Sequence, residues 1–251
     1  MPAHQRVSMR RGLSLSVVFI GIALDSCASH PENHAILVFA GVGTSRNDVA
    51  ALETILEDNH LDYATVTSPQ LNRMTEPQIR GHCLLIVPGG NFVDMGNNLT
   101  ASAVAKIRDS VNTGLNYLGI CAGAFLAGNS PYNGLNLTSG VPFHFYAAEN
   151  RGIHKAAVAI AWSGGPTLDQ YWEDGPQLSG WGAVVARYPD RTPAIVQGEF
   201  GRGMVILTGV HPEAPERWHR GLAFRTPART NHSYAGRLIR AALNHSQLRH
   251  E

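Results

Sequence analysis

The chain has 251 residues, of which 44% are hydrophobic and 16% are charged. This composition is typical of one soluble globular domain with an ample core. The net charge of +1 at neutral pH gives no electrostatic argument for binding nucleic acid or a membrane surface, so we expect neither partner from charge.

The first 27 residues differ from the rest of the chain. Three arginines within residues 6–11 precede an apolar run at residues 13–24. A basic segment followed by a short apolar run is typical of a secretory signal peptide, and the run is shorter than a membrane span requires. Residues 24–27 resemble a bacterial lipobox. We therefore predict a signal at residues 1–27 and export, either into the periplasm or onto a membrane through a lipid on Cys27.

The N-terminal half of the remaining chain alternates apolar runs with amphipathic segments. Continuous apolar runs predict strands that are buried on both faces, and the alternation with helices predicts a parallel sheet. Four strands are predicted, at residues 35–40, 63–66, 84–87 and 117–120. Three helices are predicted between them, capped by Ser45 or Asn47, by Thr75 and by Thr100.

The C-terminal half is predicted to be a series of strands, with a hairpin turn at residues 200–203. These strands are predicted at residues 141–148, 156–162, 168–172, 181–188, 194–200 and 203–208, and a last helix near residues 234–244. The sequence has no internal repeat and no long linker. We therefore predict a single domain over residues 35–248, of α/β class: a mostly parallel, twisted sheet with helices on both faces and additional antiparallel strands in its C-terminal half.

Residues 119–123, Gly-Ile-Cys-Ala-Gly, have the pattern of a nucleophile elbow with Cys121 as the nucleophile. A sharp turn between strand and helix needs small residues two positions before and after the nucleophile, and two glycines supply that space. The following helix directs its free N–H groups at the thiol, which favours the thiolate. The alternative is a buried cysteine at an ordinary junction, which is the role of most free cysteines.

A base and an acid that orients it lie about ninety residues further on, where His211 and Glu213 follow a predicted strand. Residues two apart in an extended segment project to the same side, and Pro212 disfavours helix at His211. We predict that Glu213 orients the imidazole of His211, which in turn takes the proton of Cys121.

A glycine pair, Gly89 and Gly90, ends the predicted strand at residues 84–87. Its N–H groups, together with that of Ala122, are candidates for an oxyanion hole, although a plain turn would also explain the pair. All three motifs fall at the carboxyl ends of predicted parallel strands, where open α/β sheets bind ligands. This convergence predicts one active site.

The three motifs, in this order, resemble those of the class I glutamine amidotransferase-like superfamily. Within it, residues 118–125 and 171–176 are similar to the group of domains at the N-terminus of biotin-protein ligases, which also includes stand-alone bacterial proteins. The resemblance implies a flavodoxin-like fold and a catalytic triad of Cys121, His211 and Glu213.

One position departs from the glutaminase pattern. Glutaminase members of the superfamily usually carry a substrate-holding glutamine where this chain has Phe125, which argues against glutamine as the substrate. Phe125, Tyr171 and Trp172 are candidate substrate-binding residues, although the last two also fit a packed surface hairpin. The interpretation involves no cofactor, and the histidines rarely fall at ligand spacing, so we expect no metal site.

The leading functional hypothesis is a cysteine-dependent hydrolase or amidotransferase-like enzyme acting on a small-molecule or peptide amide. Two alternatives remain open: an exported binding or sensor protein that keeps the fold without turnover, and a peptidase of the same superfamily. The sequence identifies neither the substrate nor the oligomeric state.

Overall fold

The computed structural model describes residues 34–147 and 154–251. The predicted signal peptide and Cys27 lie outside these residues. The helices are α1 (Arg46–Asp58), α2 (Ser68–Arg73), α3 (Glu76–Arg80), α4 (Phe92–Asn97), α5 (Ala101–Asn112), α6 (Ala122–Ala127) and α7 (Ala228–Leu243), with a 3-10 helix at Glu216–His219. The strands are β1 (Ile36–Phe39), β2 (Tyr63–Val66), β3 (Leu84–Val87), β4 (Asn116–Ile120), β5 (His144–Phe145), β6 (Lys155–Trp162), β7 (Thr167–Glu173), β8 (Pro176–Gln177), β9 (Ala183–Arg187), β10 (Pro193–Phe200) and β11 (Gly203–Thr208).

Nine of these strands form one mixed sheet in the order β2-β1-β3-β4-β11-β10-β9-β6-β7. The half from β2 to β11 is parallel, and the half from β11 to β7 is antiparallel. The predicted α/β class, with a parallel sheet extended by antiparallel strands, is therefore confirmed. Strand β11 is the junction, because it pairs in parallel with β4 and forms an antiparallel hairpin with β10.

The sheet separates two hydrophobic clusters. Along β1, Ile36 and Val38 belong to one cluster, whereas Leu37 and Phe39 belong to the other. Helices α1 and α7 cover the first face, and α5 and α6 cover the second. Because helices cover both faces, β1 and β3 are apolar at every position instead of alternating. Within residues 34–147 and 154–251, no helix combines the length and apolar character that a membrane span requires.

Local signals explain most element boundaries. Ser45, one of the two residues predicted as a cap, caps α1, whereas the other, Asn47, lies inside that helix. Thr75 and Thr100 cap α3 and α5 as predicted. The predicted turn at residues 200–203 closes the β10–β11 hairpin, with Gly201 at a φ of 61°. Glycine adopts this left-handed conformation without the steric cost that a Cβ atom brings.

Some elements differ from the predictions. The strand predicted at residues 141–148 is reduced to the two-residue β5, which pairs with β8 in a separate small sheet. Helices α2 and α4 were not predicted, because each is only six residues long and shows no full apolar period. Helix α7 begins at Ala228, six residues before the predicted start, since polar residues on its exposed side hide the first turns.

Candidate active site

The sheet order brings the three predicted motifs together. Strand β4 lies between β3 and β11, and Gly119 on β4 pairs with Val87 on β3 and Leu207 on β11. Neighbouring parallel strands in this register end at the same edge. The residues that follow them, Cys121, Gly89 and His211, therefore lie next to one another at the carboxyl edge of the sheet.

Cys121 occupies a sharp turn between β4 and α6. Its φ of 50° and ψ of −104° lie outside the regions that non-glycine residues normally adopt, and its N–H donates to the carbonyl of Thr208 at 2.8 Å. A conformation of this kind costs on the order of 1–3 kcal/mol and is concentrated at functional sites. Cys121 is a free thiol, and it is 5% exposed.

The two glycines of the elbow are required by close backbone contacts. A Cβ atom on Gly123 would lie 2.0 Å from the carbonyl oxygen of Val87, and one on Gly119 would lie 2.6 Å from that of Gly123. Backbone atoms cannot move aside as a flexible side chain can. The small residues of the motif thus follow from the tight turn, as the sequence predicted.

His211 presents one ring nitrogen to two carboxylates. Its Nδ1 lies 2.9 Å from Oε1 of Glu213 and 3.1 Å from Oδ1 of Asp48, and all three side chains are buried. Nε2 is buried and has no hydrogen-bond partner among the described residues. Because Nδ1 is committed to the carboxylates, Nε2 is the ring atom available to exchange a proton with Cys121 or a substrate.

The backbone and neighbouring rings fix the imidazole. The N–H of His211 donates to the carbonyl of Tyr171 at 2.8 Å. The rings of Tyr171 and Trp218 lie 5.7 and 5.9 Å from it, each in an edge-to-face arrangement. The imidazole therefore has little freedom to turn away from Cys121.

The charges around His211 favour its protonated form. Burial alone would lower the pKa of His211, but the negative charges of Cys121 and Glu213 and the hydrogen bond with Asp48 outweigh it, so the pKa is raised well above its ordinary value. Burial raises the pKa of Glu213, an effect that His211 opposes and Asp48 reinforces. The site therefore favours an imidazolium held between a thiol and two acids.

Asp48 is the residue that sequence reasoning missed. It lies in the first turn of α1 on the same helix face as Leu52, and its side chain is 8% exposed. An acid on the buried face of an amphipathic helix is a signal that the sequence contains. The contact between Asp48 and His211 depends on the pairing of β1 with β3 in the sheet, which the sequence does not reveal.

A cavity of about 440 Å³ opens beside these residues. Gly90, Ala122, Cys121 and His211 all line it, as does Phe125, whose ring stacks on Phe92 at 4.6 Å. The predicted nucleophile, base and oxyanion donors thus share one cavity with an aromatic wall.

Three predicted site residues lie beside the cavity rather than on its surface. Gly89 packs behind His211, where a Cβ atom would lie 2.6 Å from Cε1 of the ring. Tyr171 contacts His211 as described above. Trp172 is buried in the core, where its Nε1 donates to the carbonyl of Gly175 at 3.2 Å.

Asp48, His211 and Glu213 also form a set of three side chains whose ligand atoms lie within 4.8 Å of one another. Such a set could hold a metal ion. However, Nδ1 of His211 forms a hydrogen bond with Glu213 at 2.9 Å and lies at ion-pair distance from Asp48, at 3.1 Å, and these contacts account for the arrangement.

Comparison with known families agrees with the resemblance in the sequence. Residues 34–139 match the family model described as biotin-protein ligase, N terminal. Over these residues the chain is similar to that family. The matched part contains the elbow and the glycine pair but ends before His211 and Glu213, which reach the site through β11.

The known proteins similar to this chain differ from it in extent. A biotin–protein ligase of Schizosaccharomyces pombe is 28% identical in an alignment of 167 positions, which covers 55% of this chain and 26% of the ligase. The chain therefore spans about a quarter of that relative's length.

Two solved structures share the fold. One is a candidate GMP synthase component from Thermoplasma acidophilum, with a TM-score of 0.51 and 14% identity over 83% of this chain and 96% of that one. The other, a cytoplasmic protein from Salmonella typhimurium, has a TM-score of 0.52 and 10% identity over 82% of this chain and 98% of that one. At these identities the likeness establishes the fold alone.

The contact between Asp48 and His211 can be tested by titration. Replacing Asp48→Asn removes a negative charge 3.1 Å from Nδ1, so we expect the pKa of His211 to fall toward its ordinary value. Nuclear magnetic resonance of the His211 ring protons measures this pKa. Asp58→Asn, at the exposed far end of α1, should leave it unchanged. A pKa that is the same in wild type and Asp48→Asn would contradict the assignment of Asp48 to the site.

Proposed function

We propose that this chain is a cysteine-dependent enzyme that cleaves an amide or a related acyl compound, with Cys121, His211 and Glu213 as its catalytic triad. One observation carries the proposal. Cys121 and His211 lie at the same edge of the sheet, and Nδ1 of His211 contacts the buried carboxylates of Asp48 and Glu213. Nucleophile, base and orienting acid are the parts that acyl transfer through a thiol requires.

In the proposed mechanism, the proton of Cys121 moves to Nε2 of His211, which forms the imidazolium that the surrounding charges favour, and the thiolate sulfur then attacks the carbonyl carbon of the substrate. The carbonyl π electrons move to oxygen, where the N–H groups of the cavity-lining residues Gly90 and Ala122 are the proposed donors that stabilise the negative charge. The C–N bond then breaks, and Nε2 returns the proton to the leaving amine.

The second step releases the acyl group from the thioester on Cys121. Water attacks the carbonyl carbon and gives a proton to Nε2, the C–S bond breaks, and the proton returns to the sulfur. If ammonia or another amine replaces water, the same step is an amidotransfer. Glu213 keeps the imidazole oriented throughout, because Oε1 remains bonded to Nδ1.

Phe125 supports a substrate other than free glutamine. Its ring lies on the cavity wall between Phe92 and Phe145, at centroid distances of 4.6 and 4.9 Å. This wall offers no hydrogen bond to a substrate amide, and a site without such a partner holds a small polar substrate weakly.

We also propose that the chain is exported. The support is the basic segment within residues 6–11 and the apolar run at residues 13–24, which lie outside the described residues. Expressed in a bacterium, the chain should lose the residues before about Cys27, and mass spectrometry of the mature N-terminus measures this. A lipid on Cys27 supports anchoring and an unmodified cut nearby supports secretion, whereas an intact N-terminus contradicts export.

Substrate preference tests the enzyme proposal. We expect slow, Cys121-dependent turnover within a panel of activated esters, γ-glutamyl amides and peptide amides, and little or no ammonia release from glutamine. Phe125→Gln should increase ammonia release from glutamine, because it restores a hydrogen-bonding side chain to the cavity wall. Cys121→Ala is the control for background hydrolysis.

The outcomes separate the alternatives. Efficient glutaminase activity of the wild type would contradict the argument from Phe125. Turnover limited to peptide amides would favour a peptidase. No turnover across the panel, with Cys121 still reactive, would favour the binding or sensor protein.

A further inference from the structure

The cavity beside Cys121 is lined by acids. Asp48, Glu173 and Asp174 all contribute to its surface, and none of the described lining residues is lysine or arginine. His211 is the cationic group among them, and its Nδ1 already faces Asp48 and Glu213. Oδ1 of Asp174 lies 3.5 Å from Nδ1 of His154, which is not a lining residue, whereas the carboxylate of Glu173 has no cationic partner within the described lining of the cavity.

Glu173 is held next to the nucleophile. Its backbone carbonyl lies 3.5 Å from Sγ of Cys121, and its carboxylate accepts a hydrogen bond from the hydroxyl of Tyr171 at 2.5 Å. The phenol is neutral at physiological pH, because burial and Glu173 both raise the pKa of Tyr171. The bond thus fixes the carboxylate without neutralising it.

Asp174 is fixed by its backbone. Its φ of 43° is unusual for a residue other than glycine, and its carboxylate accepts from the N–H of His154 at 3.1 Å. The side chain of Asp174 remains partly exposed. Glu173 and Asp174 together form an acidic lip on the cavity.

The other wall is apolar. Phe92, Phe125 and Phe145 all line the cavity, and their rings pack together at centroid distances between 4.6 and 6.5 Å. Phe145 is exposed to solvent, so its ring is accessible to a ligand in the cavity. Nε2 of His211, a residue that lines the same cavity, is buried without a hydrogen-bond partner, and a substrate atom would complete its hydrogen bonding.

We propose that the substrate of this site is cationic: an amide or related acyl compound with an ammonium or guanidinium group against the lip of Glu173 and Asp174, and an apolar, flat group against the phenylalanine wall. This inference rests on the proposed function and specifies its substrate class. A cleft lined by charges of one sign concentrates ligands of the opposite sign. An anionic acyl compound would instead meet like charges on either side of Cys121.

Charged thiol reagents test this inference without knowledge of the substrate. Three methanethiosulfonates are compared: the cationic 2-(trimethylammonium)ethyl, the anionic 2-sulfonatoethyl and the neutral methyl compounds. In each case Sγ of Cys121 forms a disulfide with the reagent sulfur, and methanesulfinate leaves with the electron pair of the broken bond. Mass spectrometry follows modification of Cys121, Cys121→Ala gives the background, and the same reagents on 2-mercaptoethanol give the intrinsic rates.

For each thiol, the rate with the cationic reagent is divided by the rate with the anionic reagent. At low salt we expect this ratio to be about tenfold or more higher for Cys121 than for 2-mercaptoethanol. The excess should shrink at high ionic strength, because salt screens exposed charges. The double substitution Glu173→Gln and Asp174→Asn should bring the ratio close to that of the free thiol. Asparagine tolerates positive φ and glutamine can still accept from Tyr171, so the fold should be kept.

The control is Glu199→Gln, which also removes one negative charge. Glu199 lies on β10 and pairs with Met204, which is at the end of β11 that is remote from His211. It should leave the ratio unchanged. A ratio equal to that of the free thiol, with fast reaction toward the neutral reagent, would overturn the charge preference and leave the proposed catalytic role of Cys121 standing. Slow reaction with all three reagents would overturn both.

Discussion

The site depends on the contact between one buried imidazole, that of His211, and two buried carboxylates. Asp48 and Glu213 are both almost fully removed from solvent, and His211 is the cation that contacts them. Unpaired buried carboxylates carry a desolvation penalty of several kcal/mol each, so the pair favours a protonated ring. That ring also faces the thiol cavity. The contacts that offset the burial of the two acids therefore also favour protonation of the ring that lines the same cavity as Cys121.

The fold brings these groups together through strand order. Cys121, Gly89 and His211 come from β4, β3 and β11, which are neighbours in the sheet although β11 is more than eighty residues beyond β4. After β4 the chain forms the antiparallel strands, and the β10–β11 hairpin then places β11 beside β4. The antiparallel half also supplies Glu173, so the part of the molecule outside the family match contributes both His211 and one wall of the cavity.

Much of this could be predicted from the sequence. Apolar runs predicted the central strands, capping residues predicted three helices, and the glycines around Cys121 predicted the tight turn that the structure contains. Asp48 could not be assigned, because its role depends on β1 pairing with β3. The position of Trp172 in the core, and the packing of Phe125 against Phe92, depend likewise on long-range contacts that local patterns do not encode.

The rate at which iodoacetamide alkylates Cys121 at neutral pH tests the central claim most directly, because the reaction reports the nucleophile without a substrate. Wild type should react on the order of tenfold faster than His211→Gln, since the imidazole promotes the reactive thiolate. Circular dichroism should show both proteins folded. Equal rates in the two folded proteins would contradict the account, because Cys121 would then gain nothing from His211 and its two acids.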